Sequence, residues 1–218
     1  AGNPKTWTSW LKEKGITVVH VVSSAKFALK CQEAGVDAVV AEGFEAGGHN
    51  GREETTTLCL IPAVRKAISL PLIAAGGIGT GEAILAASVL GADGVQIGSR
   101  FALTEESSAH NDFKDYCLTL KEGDTKLLLK KLAPTRLAKN AFRDLVEDAE
   151  NKGASVEEMR DLLGKGRAKK GIFEGDLDEG ELEIGQVTAL IDQKNTVAEV
   201  MAELVEDFKA ACQKENNW

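Results

Sequence analysis

The sequence predicts an α/β fold with parallel strands, on three observations. Apolar, β-branched runs recur at residues 17–22 (TVVHVV), 37–41 (DAVVA), 72–75 (LIAA) and 95–97 (VQI), with repeats starting near residues 17, 37, 71 and 94. A helix-forming stretch follows each run, and strict β/α alternation requires right-handed parallel crossovers. The last two runs end in glycine: Gly76, Gly77, Gly79 and Gly81 after the third, and Gly98-Ser99-Arg100 after the fourth. Glycine at a strand's carboxyl end lets the backbone approach a ligand, and a following helix start suits a phosphate. Two consecutive ends of this kind match the phosphate site that (β/α)8 barrels build after their last strands. A dinucleotide fingerprint fits less well, because the glycines run G-x-G-x-G and Asp93 precedes the next strand.

The opening residues 1–4 (AGNP) read as a loop entered from a preceding element. Residues 6–14 are expected to be helical, with Trp7, Trp10 and Leu11 on one face and Gly15 as the stop. The run at 17–22 has the character of a strand buried on both faces. A helix over 25–34 closes at Gly35. The strand at 37–41 leads through Glu42-Gly43 and a loop containing Gly47-Gly48-His49-Asn50-Gly51 to a helix over 57–68. Beyond Phe101 the pattern turns helical and polar. Ser155 with Glu158, and Thr196 with Glu199, fit the reciprocal capping box. Val197, Val200, Met201, Leu204, Val205 and Phe208 form an apolar stripe at helical spacing, read as core packing. Residues 174–183 (EGDLDEGELE) fail the calcium-loop pattern because the glycine falls fifth from Asp176, so they read as a solvated acidic turn. Two regions follow: 1–104, the βα units, and 105–218, a mainly helical extension.

Composition limits the functional classes. The chain of 218 residues is 43% hydrophobic and 28% charged, with a formal net charge of −8. Its scattered basic residues argue against a nucleic-acid or anionic-membrane partner. No apolar run approaches the ~18 residues of a spanning helix, and no signal peptide is visible, so a cytoplasmic protein is expected. Cys31, Cys59, Cys117 and Cys212 are widely spaced and read as small buried apolar groups, with no metal constellation.

Catalytic groups in this architecture sit at strand carboxyl ends. His49, after two glycines in a βα loop, is the leading candidate to move a proton or orient an anion. His20 is expected inside a strand and His110 in a structural or exposed role. Glu42 and Gln96 could contact a ligand or satisfy local backbone. Arg100 could support a phosphate or pair with a carboxylate, and Lys26 is a weaker candidate of the same kind.

Residues 41–51 (AEGFEAGGHNG), 71–78 (PLIAAGGI), 90–101 (LGADGVQIGSRF) and 179–191 (EGELEIGQVTALI) together resemble the nitronate monooxygenase family. That family was formerly called 2-nitropropane dioxygenases and includes flavin-dependent enoyl-acyl-carrier-protein reductases. The resemblance implies an FMN-binding (β/α)8 barrel, with the FMN phosphate on the backbone of Gly76, Gly77, Gly98 and Ser99. It also implies that Gly48 lies beside the cofactor, that His49 is the active-site histidine, and that Gly185 and Gln186 approach the flavin. The implied chemistry is oxidation of a small nitronate by O2 to a carbonyl compound and nitrite, with His49 orienting the nitronate or deprotonating a nitroalkane. The alternative is NAD(P)H-dependent reduction of an enoyl thioester. The opening AGNP resembles the end of the family's fourth strand, which implies the C-terminal half of a barrel, four βα units, with the first four absent. Such a half is expected to be a piece of a longer enzyme, to close as a homodimer, or to be catalytically silent. Alone it would expose strand edges and an apolar inner face.

Overall fold

A computed structural model describes residues 2–215, apart from the side chain of residue 215. The described chain divides into two compact units: residues 2–45, 53–97 and 204–215 belong to the first, and residues 46–52 and 98–203 to the second.

The first unit opens with a short helix, α1 (Thr8–Glu13), followed by β1 (Val19–Val22) and α2 (Ala25–Glu33). Strand β2 (Ala38–Glu42) leads to a loop that leaves this unit as β3 (Gly48–His49) and returns to α3 (Thr57–Ala67). Strand β4 (Leu72–Ala75), helix α4 (Gly81–Val89) and strand β5 (Gly94–Gln96) complete the alternation. All strand pairs are parallel, in the order β1-β2-β4-β5. This is the predicted α/β pattern, with each expected strand present.

The register gives the two faces different characters. Val22, Ala41, Ala74 and Val95 lie in one row, and Val39 and Leu72 in another, all packed in the core that also holds Ala28, Cys31, Ile61 and Val64 from α2 and α3. On the intervening rows Val21 and Ile73 are only half-buried, and Val19 is 47% exposed. The expectation that the first strand is buried on both faces therefore fails. The cause is its place at the edge of the sheet, on a face that no helix of this unit covers at Val19. Trp7, just before α1, and Trp10 within it also stay largely exposed, edge-to-face on each other, while Leu11 packs against the core.

The second unit departs from the helical expectation. Helices α5 (Ser99–Ala102) and α6 (Asn111–Cys117) are followed by two strands, β6 (Thr125–Leu128) and β7 (Thr135–Ala138), which pair antiparallel. Strand β3 joins the opposite edge of β7, giving the order β3-β7-β6. A stretch as polar as KEGDTKLLLKK masks its period-2 alternation, so the ladder is not visible from the sequence. Helices α7 (Ala141–Asn151) and α8 (Val156–Leu163) pack Val146, Phe142 and Met159 against Leu128 and Leu137. A π-helical turn (Lys169–Phe173) and a 3-10 turn (Gln186–Leu190) precede α9 (Val197–Glu215), which runs from the second unit into the first.

Both predicted caps are present. Ser155 and Glu158 exchange their hydrogen bonds at the start of α8, and Thr196 and Glu199 do the same before α9. Along α9, Val200 and Leu204 are buried, but Val197, Met201 and Val205 are at least a third exposed, so the apolar stripe is packed along one side only. Cys59 is exposed, against the expectation that the cysteines are buried, because it lies on the solvent side of α3. Cys31 and Cys117 are buried as expected.

Candidate active site

In the first unit, the chain leaves β4 through Gly76 and Gly77, both with positive φ (89° and 71°). A side chain at Gly76 would be strained by that backbone, and its Cβ would lie 2.8 Å from the carbonyl oxygen of Gly43. The loop after β2 braces this turn. The Glu45 carboxylate accepts from the backbone N–H of Thr57 at 3.0 Å, capping α3, and the Thr57 hydroxyl lies 2.8 Å from the Gly76 carbonyl oxygen. Neither Glu45 nor Thr57 is conspicuous in the sequence, because their contacts join residues 12 and 19 positions apart. Glu42, at the end of β2, has its carboxyl pushed up by burial. Gln96, opposite Ala75 on β5, is exposed.

In the second unit, one edge of β7 gathers the other candidates. Gly48 pairs with Arg136 and His49 with Thr135. Further along the same edge, Leu137 bridges Glu183, and Ala138 N–H donates to the Leu182 carbonyl at 2.8 Å. The segment at 182–185 therefore continues directly from β3. It closes against Gly47, where any Cβ would strike the backbone of Ile184 and Gly185. Gly185 N–H in turn donates to Ser99 Oγ at 3.0 Å. Thus Gly48, His49, Ser99 and Gly185 come together although they lie far apart in sequence. The imidazole of His49 is exposed, and so is Gln186 at the start of the 3-10 turn.

Glu183 has no place among the sequence-derived candidates. Gly48 has φ 71°, and a Cβ there would lie 2.5 Å from Glu183 Oε2, so the carboxylate rests on the backbone beside His49. Burial pushes the Glu183 carboxyl up, and the nearby His49 works against that shift. Two residues earlier, Glu181 is 7% exposed and its pKa rises to about 7, through burial first and the charge of Glu183 second. The acidic turn is therefore solvated only in its first part, and its last two carboxyls are drawn inward. The alternation Glu-Leu-Glu-Ile, which resembles a strand, was the available signal.

The remaining candidates lie outside these two sets of contacts. Arg100 is buried and pairs with Glu203, leaving its Nε without a partner. His20 is half-buried, with Nδ1 2.9 Å from the Val21 carbonyl oxygen. His110 caps α6 by accepting from Asp112 N–H. Lys26 is exposed in the first turn of α2. Among the described residues no cluster of His, Cys, Asp or Glu could hold a metal, and no helix is long and apolar enough to cross a membrane.

Among the described residues, no hydrogen bond is donated by the backbone N–H groups of Gly76, Gly77, Gly98 or Ser99. At Gly98 a Cβ would meet nothing within 4 Å, so the backbone there is open. The free amides at Gly98 and Ser99, beside this open backbone, fit a group that carries a phosphate.

The sequence profile of the nitronate monooxygenase family matches residues 1–207. A probable nitronate monooxygenase of Staphylococcus haemolyticus is 43% identical over 124 residues, which cover 53% of this chain and 35% of the relative. One from Staphylococcus aureus (strain N315) is 36% identical over 146 residues, covering 63% of this chain and 41% of the relative. Among solved structures, FabK from Thermotoga maritima is 35% identical with a TM-score of 0.93, over 100% of this chain and 68% of that one. The nitroalkane oxidase from Streptomyces ansochromogenes is 28% identical with a TM-score of 0.78, over 96% and 62%. The matched region spans less than half the length of these curated relatives and about two thirds of the solved chains, consistent with a partial (β/α)8 barrel. With the profile matching nearly its whole length, the chain belongs to the nitronate monooxygenase family.

Proposed function

We propose that this protein is an FMN-dependent oxidoreductase that uses O2 to convert small nitro compounds, alkyl nitronates and their parent nitroalkanes, to carbonyl compounds and nitrite. The observation that carries this reading is the single edge of β7. It holds the exposed His49 imidazole in line with the Glu183–Gly185 segment, to which Ser99 is bonded. The names of the relatives, probable nitronate monooxygenases and a nitroalkane oxidase, point the same way.

In this reading the amides of Gly98 and Ser99 are donors for the flavin phosphate, and Gly48 and Gln186 border the cofactor. When bound, FMN supplies the electron acceptor that O2 later reoxidises. The chain's own residues do the rest. His49 takes the α-proton of a nitroalkane or orients the nitro oxygens of a nitronate, using backbone pairing to fix its position. The Ser99–Gly185 bond holds the C-terminal segment against β3.

The test is release of nitrite with O2 uptake by the full-length, FMN-loaded protein supplied with an alkyl nitronate or nitroalkane. Nitrite production supports the reading. Its absence, with rapid NADH consumption on an enoyl thioester instead, would overturn it.

A further inference from the structure

We propose that Arg100 and Glu203 are a positioning pair that holds the turn at Gly98 and Ser99 in the conformation that receives a phosphate. The inference rests on the reading of those two amides as donors to the flavin phosphate. Neither Arg100 nor Glu203 touches the cofactor in it.

The need for an anchor follows from the local structure. The turn opens α5, which has only four residues and no side-chain cap at its start. One helical turn fixes more backbone than its hydrogen bonds repay, so it persists only where packing or a side chain holds it. Gly98 adds no restraint of its own, since a Cβ there would meet nothing within 4 Å.

Two ties hold the turn from outside. The first is the Ser99 hydroxyl, which accepts from Gly185 N–H at 3.0 Å. The second is Arg100, whose side chain is 7% exposed and whose Nη2 donates to the Glu203 carboxylate on α9. Its Nε has no partner, so among the described residues Glu203 is the group that compensates the buried guanidinium. A buried ion pair repays its desolvation poorly, and a bare Nε adds to the cost. What the pair does supply is direction, because it ties the second residue of α5 to a helix of 19 residues.

Loss of either partner frees α5 to tilt and moves the Gly98 and Ser99 amides off the phosphate oxygens. The riboflavin part of the cofactor, which these amides do not meet, is unaffected. A direct contact of Arg100 with the phosphate makes the opposite prediction for Glu203, because removing that carboxylate would free a positive charge for the anion.

The experiment measures the affinities of the full-length apoprotein for FMN and for riboflavin by flavin fluorescence, in the wild type, Arg100→Met, Glu203→Ala and the double variant. The expected result is that each single variant loses about tenfold in FMN affinity and nothing in riboflavin affinity. The double variant should lose no more than either single one, since one pair is broken in all three. Glu203 is 42% exposed, so Glu203→Ala gives a folded variant for the comparison even if Arg100→Met does not. An unchanged ratio of the two affinities in Glu203→Ala, or equal losses for both flavins, would overturn the proposal. Tighter FMN binding by Glu203→Ala would overturn it in favour of direct contact. A wild type that binds neither flavin, or binds both equally, would sink the reading of the phosphate site and this inference with it.

Discussion

The backbone N–H of Gly185 donates to Oγ of Ser99 at 3.0 Å, joining residues 86 positions apart. Ser99→Ala would leave a buried amide without its partner, at a cost of about 1–3 kcal/mol. Urea unfolding should show that loss, and Ser99→Thr, which keeps the hydroxyl, should recover much of it.

Gly76 and Gly98 should respond differently to the same change. At Gly76 the positive φ and the 2.8 Å approach to the Gly43 carbonyl make Gly76→Ala destabilising by about 1–2 kcal/mol or more. At Gly98 the backbone is unstrained and a methyl group has room, so Gly98→Ala should fold with near-normal stability. If Gly98 holds phosphate, that substitution should weaken FMN binding, and Gly98→Val should abolish it while helix content measured by circular dichroism stays intact.

Glu181 should make stability depend on pH. Its folded pKa, about 7, lies above the ordinary glutamate value of 4.5, so the folded state holds the proton more tightly than the unfolded state. Its contribution to stability is therefore fully present below about pH 4.5 and is lost as pH rises through about 7. Glu181→Gln should stabilise the protein at pH 8 and change little at pH 4. Equal effects at both pH values in denaturant titrations would contradict this.

The cysteines should separate by exposure. Cys117 is buried and its thiol is pushed up to about 12, and Cys31 is also buried and raised, whereas Cys59 is exposed. A brief treatment with a maleimide, read by mass spectrometry of peptides, should label Cys59 and spare Cys31 and Cys117.

His49→Ala should retain bound FMN but lose turnover by ~10²-fold or more. Near-normal turnover would return His49 to the class of exposed loop residues.

The sequence carried the parallel sheet well, because its strands are short β-branched runs closed by glycine, each tied to its neighbour by a helix. It showed the turns at Gly76 and Gly98 for the same reason. Less legible was the way the loop after β2 contributes a strand to another sheet. Two residues, Gly48 and His49, are too few to show a period. Their partners Thr135 and Arg136 are polar residues that become buried, against the usual sense of a hydrophobic pattern. Glu183 was hidden within an acidic run that reads as solvent-facing. Its inward position arises only when β7 lines it up with Gly48, a contact between residues 135 positions apart.

The proposed function requires a flavin site in which His49 acts on small nitro compounds. An anaerobic visible spectrum tests it most directly, taken on the full-length protein loaded with FMN and mixed first with an alkyl nitronate or nitroalkane and, separately, with NADH. The predicted result is a bound flavin spectrum that bleaches with the nitro compound and not with NADH. No flavin binding even with added FMN, or bleaching by NADH alone, would contradict it.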